Sequence, residues 1–399
     1  MKKRVVIANK FYYNRGGDCI ASIALEKLLR SKGHDVAFFS MQYPQNFHSE
    51  WERFYPNEVD FNGGIAGKLV ALERVFSSRE VKRKFSAFID VFKPDVLHLN
   101  NVHSYLSPVI GEIAHEKGIK VVWSLHDYKL ICPTYLCLRN GHPCTLCVKG
   151  MVSNVLSEKC MKGSLPASLI AYLEALYWNR KRLMRNTDHF IAPSHCMKSL
   201  MEEGGFTASK ITVVPHFTDR SYPSIIEKAA KEDYYCFIGR LSEEKGIATL
   251  VEVANRLPYP LYIIGTGSLK DKLSGESHVR FLGFKDWDEI QQILSKARFL
   301  VSPSECYEVF GLSNIEAQCL GTPVLGADIG GIPETIDVPS CGMLFEAGNK
   351  IDLEDKIKLM FERSFNYKRI AEVAKERFSA DNYYKEIILS LIHICRCRR

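Results

Sequence analysis

The feature that most constrains the fold is a regular alternation of short, strand-sized apolar runs with stretches of helical pattern. In the first half these runs are rich in β-branched residues and fall at 5–8, 36–40, 96–99, 121–125, 190–192 and 211–214. Strands that alternate with helices form parallel sheets, because a parallel pair of strands needs a long crossover connection. The first half therefore predicts a doubly wound α/β domain.

The same pattern restarts after a stretch without strand character. Residues 219–233 include Pro223 and are predicted to be a linker, and apolar runs resume at 235–238, 261–264, 279–282, 299–301 and 323–326. The 399 residues suit two domains, predicted at 1–218 and 234–388. We expect two Rossmann-like domains that face a cleft at the carboxyl ends of their strands, where open α/β sheets bind ligands.

Composition narrows the class of protein. The chain is 46% apolar and 25% charged, as expected of a globular enzyme. Its apolar runs are far shorter than the roughly 20 residues of a membrane-spanning helix, and the run behind Lys2, Lys3 and Arg4 is too short for a signal peptide. We expect a cytoplasmic protein whose 13 cysteines are thiols or metal ligands rather than disulfides.

The charge balance does not indicate a nucleic-acid partner. The formal net charge is +7, and removing Arg396, Arg398 and Arg399 subtracts three and leaves +4. These arginines lie in 389–399, a segment without helix caps that resembles a translated adapter sequence from library preparation. We predict that 389–399 is a non-native tail and that the natural C-terminus is missing.

Two features of the first domain are candidates for ligand binding. Gly16 and Gly17 follow the first strand and open a helix predicted at 19–31, a place where backbone amides can bind an anion, although such glycines can also serve only a tight turn. No G-x-G-x-x-G follows this strand, which argues against a nicotinamide oxidoreductase. His126 ends the fourth strand and should point towards the cleft.

The second domain opens with cations beside a glycine turn. Gly239 and Arg240 follow its first strand, and Lys245 precedes the next helix. Cations at a strand end and near a helix start suit a diphosphate. The alternative is a pair of solvated surface cations.

The most informative stretch spans 302–334. It contains Glu308 in a loop after a strand, Gly311, and Glu316 in the first turn of a helix, followed by Gly330-Gly331-Ile332-Pro333-Glu334. A carboxylate can accept hydrogen bonds from two vicinal hydroxyls. Glu308 and Glu316 are therefore predicted to bind sugar or ribose.

This combination of motifs resembles the family 4 glycosyltransferases of the GT-B fold, over nearly the whole chain up to about residue 388. The resemblance implies that Glu316 binds the donor ribose, Glu308 touches the transferred sugar, and Arg240 and Lys245 hold the diphosphate. It places His126 beside the donor sugar, and Gly16 and Gly17 near the phosphates. Gly239, Gly265, Gly267 and Gly311 would complete the nucleotide site.

The resemblance also implies the reaction. The family transfers a sugar from a nucleotide diphosphate with retention of anomeric configuration and without a catalytic metal, so no cofactor is required beyond a UDP- or GDP-sugar donor. The acceptor would be a glycan or a lipid-linked sugar in surface polysaccharide assembly, bound on the side of domain 1–218, with 234–388 binding the nucleotide sugar. A nucleotide-sugar epimerase or hydrolase on the same fold is the alternative.

Cysteines cluster between His126 and the next predicted helix, in a loop at 130–162. Cys132, Cys144, Cys147 and Cys160 are a candidate structural zinc quartet, with Cys137 spare. Reduced thiols are the equal alternative. The loop also raises a third function, an inactive transferase scaffold used as a zinc-stapled interaction module.

Two segments, 68–84 and 165–185, mix apolar residues with cations that include Lys82, Arg83, Arg180, Lys181 and Arg182. Such segments can lie peripherally on the inner face of an anionic membrane. The favoured alternative is a helix whose apolar side packs inward and whose charged side faces water.

Overall fold

The computed structural model describes residues 2–59, 64–222 and 231–396. These residues form two compact units: the first draws on 1–136, 145–215 and 383–399, and the second on 137–144 and 216–382. The predicted domains differ from these units at a short segment, 137–144, and at the C-terminal helix. The predicted linker 219–233 lies partly outside the described residues, at 223–230.

Strands and helices alternate along both units. The strands are β1 (Arg4–Ala8), β2 (Asp35–Phe39), β3 (Val96–Leu99), β4 (Lys120–Ser124), β5 (Leu138–Arg139), β6 (His142–Pro143), β7 (His189–Ala192), β8 (Ile211–Val213), β9 (Tyr235–Ile238), β10 (Leu261–Ile264), β11 (Val279–Gly283), β12 (Leu300–Ser302), β13 (Val324–Ala327) and β14 (Gly342–Phe345). The helices are α1 (Gly17–Ser31), α2 (Ile65–Phe76), α3 (Arg79–Phe92), α4 (Val109–Glu116), α5 (Asn154–Ser157), α6 (Leu165–Tyr177), α7 (Arg180–Arg185), α8 (His195–Glu203), α9 (Ile247–Ala254), α10 (Trp287–Lys296), α11 (Leu312–Cys319), α12 (Ile332–Thr335), α13 (Lys350–Glu362), α14 (Tyr367–Arg377) and α15 (Ala380–Arg396).

Each unit has one six-stranded parallel sheet. The strand order is β2-β1-β3-β4-β7-β8 in the first unit and β11-β10-β9-β12-β13-β14 in the second. In both sheets the chain first builds outwards on one side and then crosses to the other, which creates a topological switch point beside β1 and beside β9. The predicted pair of Rossmann-like parallel-sheet domains is confirmed.

The sheets are buried because helices cover both faces of a doubly wound fold. Val5, Val6 and Ile7 of β1 are fully buried, as are Leu261 and Ile263 of β10. Such continuous apolar runs are the pattern from which the strands were predicted. A short antiparallel hairpin of β5 and β6 and the edge strand β14 were not predicted.

The C-terminal helix α15 packs on the first unit although it follows the second in sequence. His34 Nε2 lies 2.8 Å from the Tyr384 hydroxyl, and the Lys32 ammonium lies 5.5 Å from the centre of the Tyr384 ring. These contacts explain why residues from Tyr383 onward group with the first unit. The helix continues into the predicted non-native tail, as far as Arg396. The last three residues of that tail lie outside the described part of the chain. The non-native origin of 389–399 stays a prediction.

Candidate donor-binding site

The switch point of the second sheet lies between β9 and β12, which are paired through Cys236 and Leu300. Gly239 and Arg240 directly follow β9, while Pro303 and Ser304 follow β12. Crevices of this kind are where open α/β sheets bind ligands. The sequence motifs of the second domain therefore meet at the expected edge of the sheet.

Lys245 and Glu308 form the central ion pair of this edge. The Lys245 ammonium contacts Glu308 Oε2, and the Ser304 hydroxyl donates to the same oxygen at 3.1 Å. Burial by itself raises the pKa of Glu308, but Lys245 and Ser304 outweigh it and hold that pKa below its usual value. Burial by itself lowers the pKa of Lys245, but Glu308 outweighs it and holds that pKa above its usual value. Both groups are therefore charged at neutral pH.

Arg240 extends into solvent beside this pair. Its side chain is 65% exposed, and one guanidinium nitrogen lies 3.1 Å from Glu244 Oε1. Ser242 fixes that carboxylate by donating a hydrogen bond of 2.7 Å to the same oxygen. The site thus presents one exposed guanidinium close to one largely buried ammonium, an arrangement that suits a ligand with two adjacent anionic groups.

Gly246 allows the Lys245 turn to lie against the loop after β12. Its φ of +65° is in the left-handed region, and a Cβ at this position would sit 1.8 Å from the carbonyl oxygen of Pro303. No side chain fits there unless one of the two loops moves. The glycine is thus required by the close approach that brings Lys245 to Glu308.

Gly246→Ala is expected to lower the free energy of unfolding by about 2 kcal/mol or more, since left-handed strain and the clash with Pro303 add together. Chemical denaturation of the two proteins measures the loss. Gly283→Ala is the matched control, because Gly283 has φ +73° and open space around its Cβ position, so that strain acts alone. An equal loss in both variants would contradict the steric account.

The loop at Gly265 and Gly267 packs directly on the main chain of the Gly239 turn. A Cβ at Gly265 would lie 1.9 Å from the carbonyl oxygen of Gly239, and Leu241 donates its amide to Thr266 O at 3.0 Å. These glycines have a structural reason of their own, which is to join the ends of β9 and β10. Their predicted contact with a nucleotide stays a prediction.

Glu316 lies on α11, whose N-cap is Gly311, but it is the fifth residue of this helix and does not lie in the first turn, where the sequence predicted it. Burial raises the pKa of Glu316, although nearby Arg220 opposes the shift, and Arg220 Nε lies 3.4 Å from Glu316 Oε1. The Arg220 guanidinium also lies 4.7 Å from the centre of the Trp287 ring. The carboxylate is therefore held on one side by a cation that is itself supported by an aromatic ring.

The Gly330-Gly331 part of the long motif supports Glu308. The Gly331 amide donates to the carbonyl oxygen of Glu308 at 2.7 Å, and a Cβ at Gly330 would lie 2.4 Å from the same oxygen. The two halves of the motif are thus in direct main-chain contact. This contact fixes the loop that carries Glu308.

In the first unit, Gly16 is the N-cap of α1, and Gly17 is the first residue of that helix. Asp18 in the first turn lies 3.5 Å from the Lys10 ammonium. Burial alone raises the pKa of the Asp18 carboxyl, but Lys10, His126 and the Cys19 amide lower it overall. A carboxylate thus already lies at this helix N-terminus, and the predicted approach of phosphates to Gly16 and Gly17 stays a prediction.

His126 follows β4 and contacts the end of β3. Its Nε2 lies 2.9 Å from Asn100 Oδ1, which can only accept a hydrogen bond, so Nε2 carries the proton. Burial lowers the pKa of His126 to about 4, an effect that Asp18 opposes and Lys10 reinforces. The imidazole is therefore neutral at physiological pH. It can take part in hydrogen bonds, but it does not carry a positive charge.

We expect His126 to titrate with a pKa of about 4 when followed by NMR of its imidazole, with His126→Gln used to assign the resonance. Because the folded-state pKa is lowered, the neutral imidazole's contribution to stability is complete above the unfolded value near 6.5. It is lost as pH falls from there towards 4. A measured pKa of 6.5 or higher would contradict the buried, neutral assignment.

The predicted zinc quartet is not assembled. Among residues 2–59, 64–222 and 231–396, no group of three or more His, Cys, Asp or Glu side chains is arranged to hold a metal ion. Cys144 lies in the segment that groups with the second unit, whereas Cys132, Cys147 and Cys160 belong to the first. The Cys132 thiol is buried and lies 3.3 Å from the Thr134 hydroxyl. Among the described residues these cysteines therefore do not form a metal site.

Three polar residues of these sites were not predicted. Ser304 and Asn100 each follow a strand at a carboxyl end, so the rule that singled out His126 could have found them. Arg220 lies in the predicted linker 219–233, and nothing in its neighbouring sequence indicates that it reaches Glu316. Only the fold brings residues so distant in sequence into contact.

Two Rossmann-like units in one chain, with paired cations and carboxylates at a switch point, define a protein of the GT-B type. Residues 23–222 match the family model described as Glycosyltransferase Family 4, and residues 219–377 match the model described as Glycosyl transferases group 1. The chain belongs to this glycosyltransferase family.

Sequence relatives are distant but span much of the chain. A protein of 42.6 kDa in the cps region of Klebsiella pneumoniae is 26% identical over 350 residues, which are 83% of this chain and 86% of that protein. An uncharacterized glycosyltransferase of Methanocaldococcus jannaschii is 26% identical over 239 residues, 58% of this chain and 66% of its own length.

Solved structures share the fold at low sequence identity. Anabaena Alr3699/HepE in complex with UDP and glucose superposes with a TM-score of 0.67 at 17% identity, covering 98% of this chain and all of that one. The lipopolysaccharide outer core galactosyltransferase WaaB has a TM-score of 0.65 at 18% identity, covering 98% of this chain and 99% of that one. At such identities the likeness establishes the fold alone.

Proposed function

We propose that this protein is a retaining glycosyltransferase that moves a sugar from a UDP- or GDP-sugar to a glycan or lipid-linked acceptor in surface polysaccharide assembly. The observation that carries the proposal is the Lys245–Glu308 pair at the switch point of the second sheet, with Arg240 exposed beside it. Arg240 is close enough to influence the pKa of both partners. Two cations suit a diphosphate, and a fixed carboxylate suits the hydroxyls of a sugar.

The proposed roles of Lys245 and Arg240 follow from the place where negative charge develops during sugar transfer. When the bond between the sugar and the diphosphate breaks, negative charge accumulates on the leaving phosphate. Lys245 and Arg240 would stabilise that charge without a metal ion, since both are cationic before the reaction begins. Glu308, held by Lys245 and Ser304, would accept hydrogen bonds from the hydroxyls of the transferred sugar.

We propose that residues near the Lys245–Glu308 pair recognise the nucleotide. Glu316 would accept hydrogen bonds from the two ribose hydroxyls, which requires Arg220 to leave one carboxylate oxygen accessible. Gly239, Gly265, Gly267 and Gly311 would let the main chain approach the nucleotide. His126, Gly16 and Gly17 belong to the first unit, and their roles towards the donor sugar and the phosphates stay predictions.

Relatives support the choice of donor and pathway without fixing either. HepE was solved with UDP and glucose, WaaB is named as a galactosyltransferase of the lipopolysaccharide core, and the Klebsiella relative is named for the cps region. On that basis we propose that this chain uses a nucleotide-sugar donor and acts in surface polysaccharide assembly. A cytoplasmic location fits such a donor, and the acceptor-side role is proposed for the first domain.

Product analysis tests this reaction against the alternatives. The protein is incubated with a nucleotide sugar and a lipid-linked or glycan acceptor, and NMR follows the anomeric proton of the sugar. We expect a new glycosidic bond with the anomeric configuration of the donor, formed in proportion to released nucleoside diphosphate. Free sugar alone would indicate a hydrolase, an altered nucleotide sugar an epimerase, and an inverted linkage would contradict retention.

A further inference from the structure

Helix α6 differs from an ordinary surface helix because many of its large apolar side chains face solvent and a carboxylate is buried. Its 13 residues run from Leu165 to Tyr177. Ser168, Ala171 and Glu174 face inward and are buried, while the large apolar side chains are exposed: Leu165, Leu169, Ile170, Leu173, Leu176 and Tyr177 are 37–52% exposed. A helix on a water-soluble surface has the opposite arrangement. The sequence had favoured an apolar side packed inward, and for α6 the structure shows the reverse.

The orientation of α6 is fixed by the polar residue that it buries. Glu174 Oε2 lies 2.7 Å from the Lys129 ammonium, and Glu174 Oε1 accepts a hydrogen bond of 3.0 Å from the Ser104 hydroxyl. A buried carboxylate with these two partners cannot rotate outward without leaving the Lys129 charge buried and unpaired. The leucines face outward because Glu174 faces inward.

A second helix with exposed apolar residues is a neighbour of α6. On α2, Leu69, Val70 and Leu72 are exposed, with Leu69 at 63%. The two helices meet where the Trp178 indole donates to Val75 O at 3.0 Å. The nine exposed residues form what we call the apolar face: Leu69, Val70, Leu72, Leu165, Leu169, Ile170, Leu173, Leu176 and Tyr177. Apolar residues that are exposed together on neighbouring helices, rather than singly, are typical of interaction surfaces.

Positive charge accompanies the apolar face. In 149–185 the exposed charged residues are five cations and one acid, namely Lys149, Lys159, Lys162, Lys181, Arg185 and Glu158, and α2 adds the exposed acid Glu73. Arg180 and Arg182, which the sequence suggested for membrane contact, serve the fold instead. Arg180 donates to the main-chain carbonyls of Val148, Gly204, Ile131 and Cys147, and Arg182 forms a two-point contact with Glu112.

We propose that the apolar face is a peripheral docking surface for an anionic lipid bilayer. The leucines would enter the boundary between headgroups and acyl chains, and the exposed lysines would meet lipid phosphates. Among the described residues no helix is long and apolar enough to cross a membrane, so contact through this face would be interfacial. A second copy of the chain would also cover the leucines but would bring the same cations together.

Vesicle sedimentation tests the proposal, and it does not depend on the proposed transferase activity. The full chain is mixed with vesicles of phosphatidylglycerol and phosphatidylcholine, or of phosphatidylcholine alone. We expect binding to the anionic vesicles, a loss of tenfold or more in Leu169→Glu/Leu173→Glu, and a loss of about fivefold per removed cation in Lys149→Gln/Lys181→Gln.

Matched controls carry the same changes elsewhere. Ile351→Glu/Leu359→Glu alters exposed apolar residues of α13, and Lys270→Gln/Lys272→Gln alters exposed lysines of the second unit; both should bind like the unaltered protein. Circular dichroism melts confirm that each variant is folded. Absence of vesicle binding, unchanged binding of the Leu169/Leu173 variant, or a dimer in solution that this variant dissolves would each overturn the proposal.

Discussion

Lys245→Ala is expected to lower kcat/KM for sugar transfer by about a hundredfold or more. A fixed charge that stabilises a developing anion contributes about 3 to 4 kcal/mol in the transition state, and here no solvent has to reorganise because Glu308 already holds the ammonium in place. Steady-state kinetics measures the loss. Lys272→Ala, which removes an exposed lysine of the same unit, should leave the rate unchanged.

The loss must come from the charge and not from misfolding. Lys245→Ala leaves the Glu308 carboxylate largely buried without its cation, so the variant is compared with Lys245→Ala/Glu308→Gln, in which neither charge remains. Both should lose a hundredfold or more if Lys245 stabilises the leaving group, and urea unfolding should show that each is folded at the assay temperature. A loss of tenfold or less in Lys245→Ala would argue against that role.

Glu308→Ala is expected to lower the free energy of unfolding by about 3 kcal/mol, because it leaves the Lys245 ammonium largely buried and unpaired. Lys245→Met/Glu308→Leu replaces both charges with apolar groups and should lose less stability than the single variant. Urea unfolding compares the three proteins. A double variant less stable than Glu308→Ala would contradict the account.

The sign of the pH dependence follows from the direction of the shift. The folded-state pKa of Glu308 lies below the usual value of 4.5, so its contribution to stability is present above that value. It is lost as pH falls through the lowered pKa. The stability gap between the unaltered protein and Glu308→Gln should therefore be widest at neutral pH and should narrow in acid.

The positions of several candidate residues in the second domain were predictable because parallel strands present their carboxyl ends at one edge. Arg240, Lys245 and Glu308 each follow a strand or its turn, and the structure places them together for that reason. Arg220 could not be found in this way, since its contact with Glu316 joins residues 96 positions apart. Such contacts depend on packing and not on local pattern.

The cysteine loop and helix α6 show where sequence patterns mislead. A C-x2-C pair indicates that two thiols are near each other in the chain, but Cys144 of this pair groups with the second unit, whereas Cys147 groups with the first, as do Cys132 and Cys160. In α6 the abundance of leucine predicts a buried side. The buried partner of Lys129 turns that side outward, and only the fold reveals the pairing with Glu174.

The most direct test of the central claim measures whether a nucleotide sugar binds at the switch point of the second sheet. The thermal unfolding of the protein and the release of nucleotide are followed together across a panel of UDP-, GDP- and ADP-sugars. We expect one donor to stabilise the protein, by about 2.7 kcal/mol at a hundredfold excess over its Kd. Glu316→Ala should abolish that stabilisation. No shift with any nucleotide sugar, or an equal shift in Glu316→Ala, would contradict the assignment.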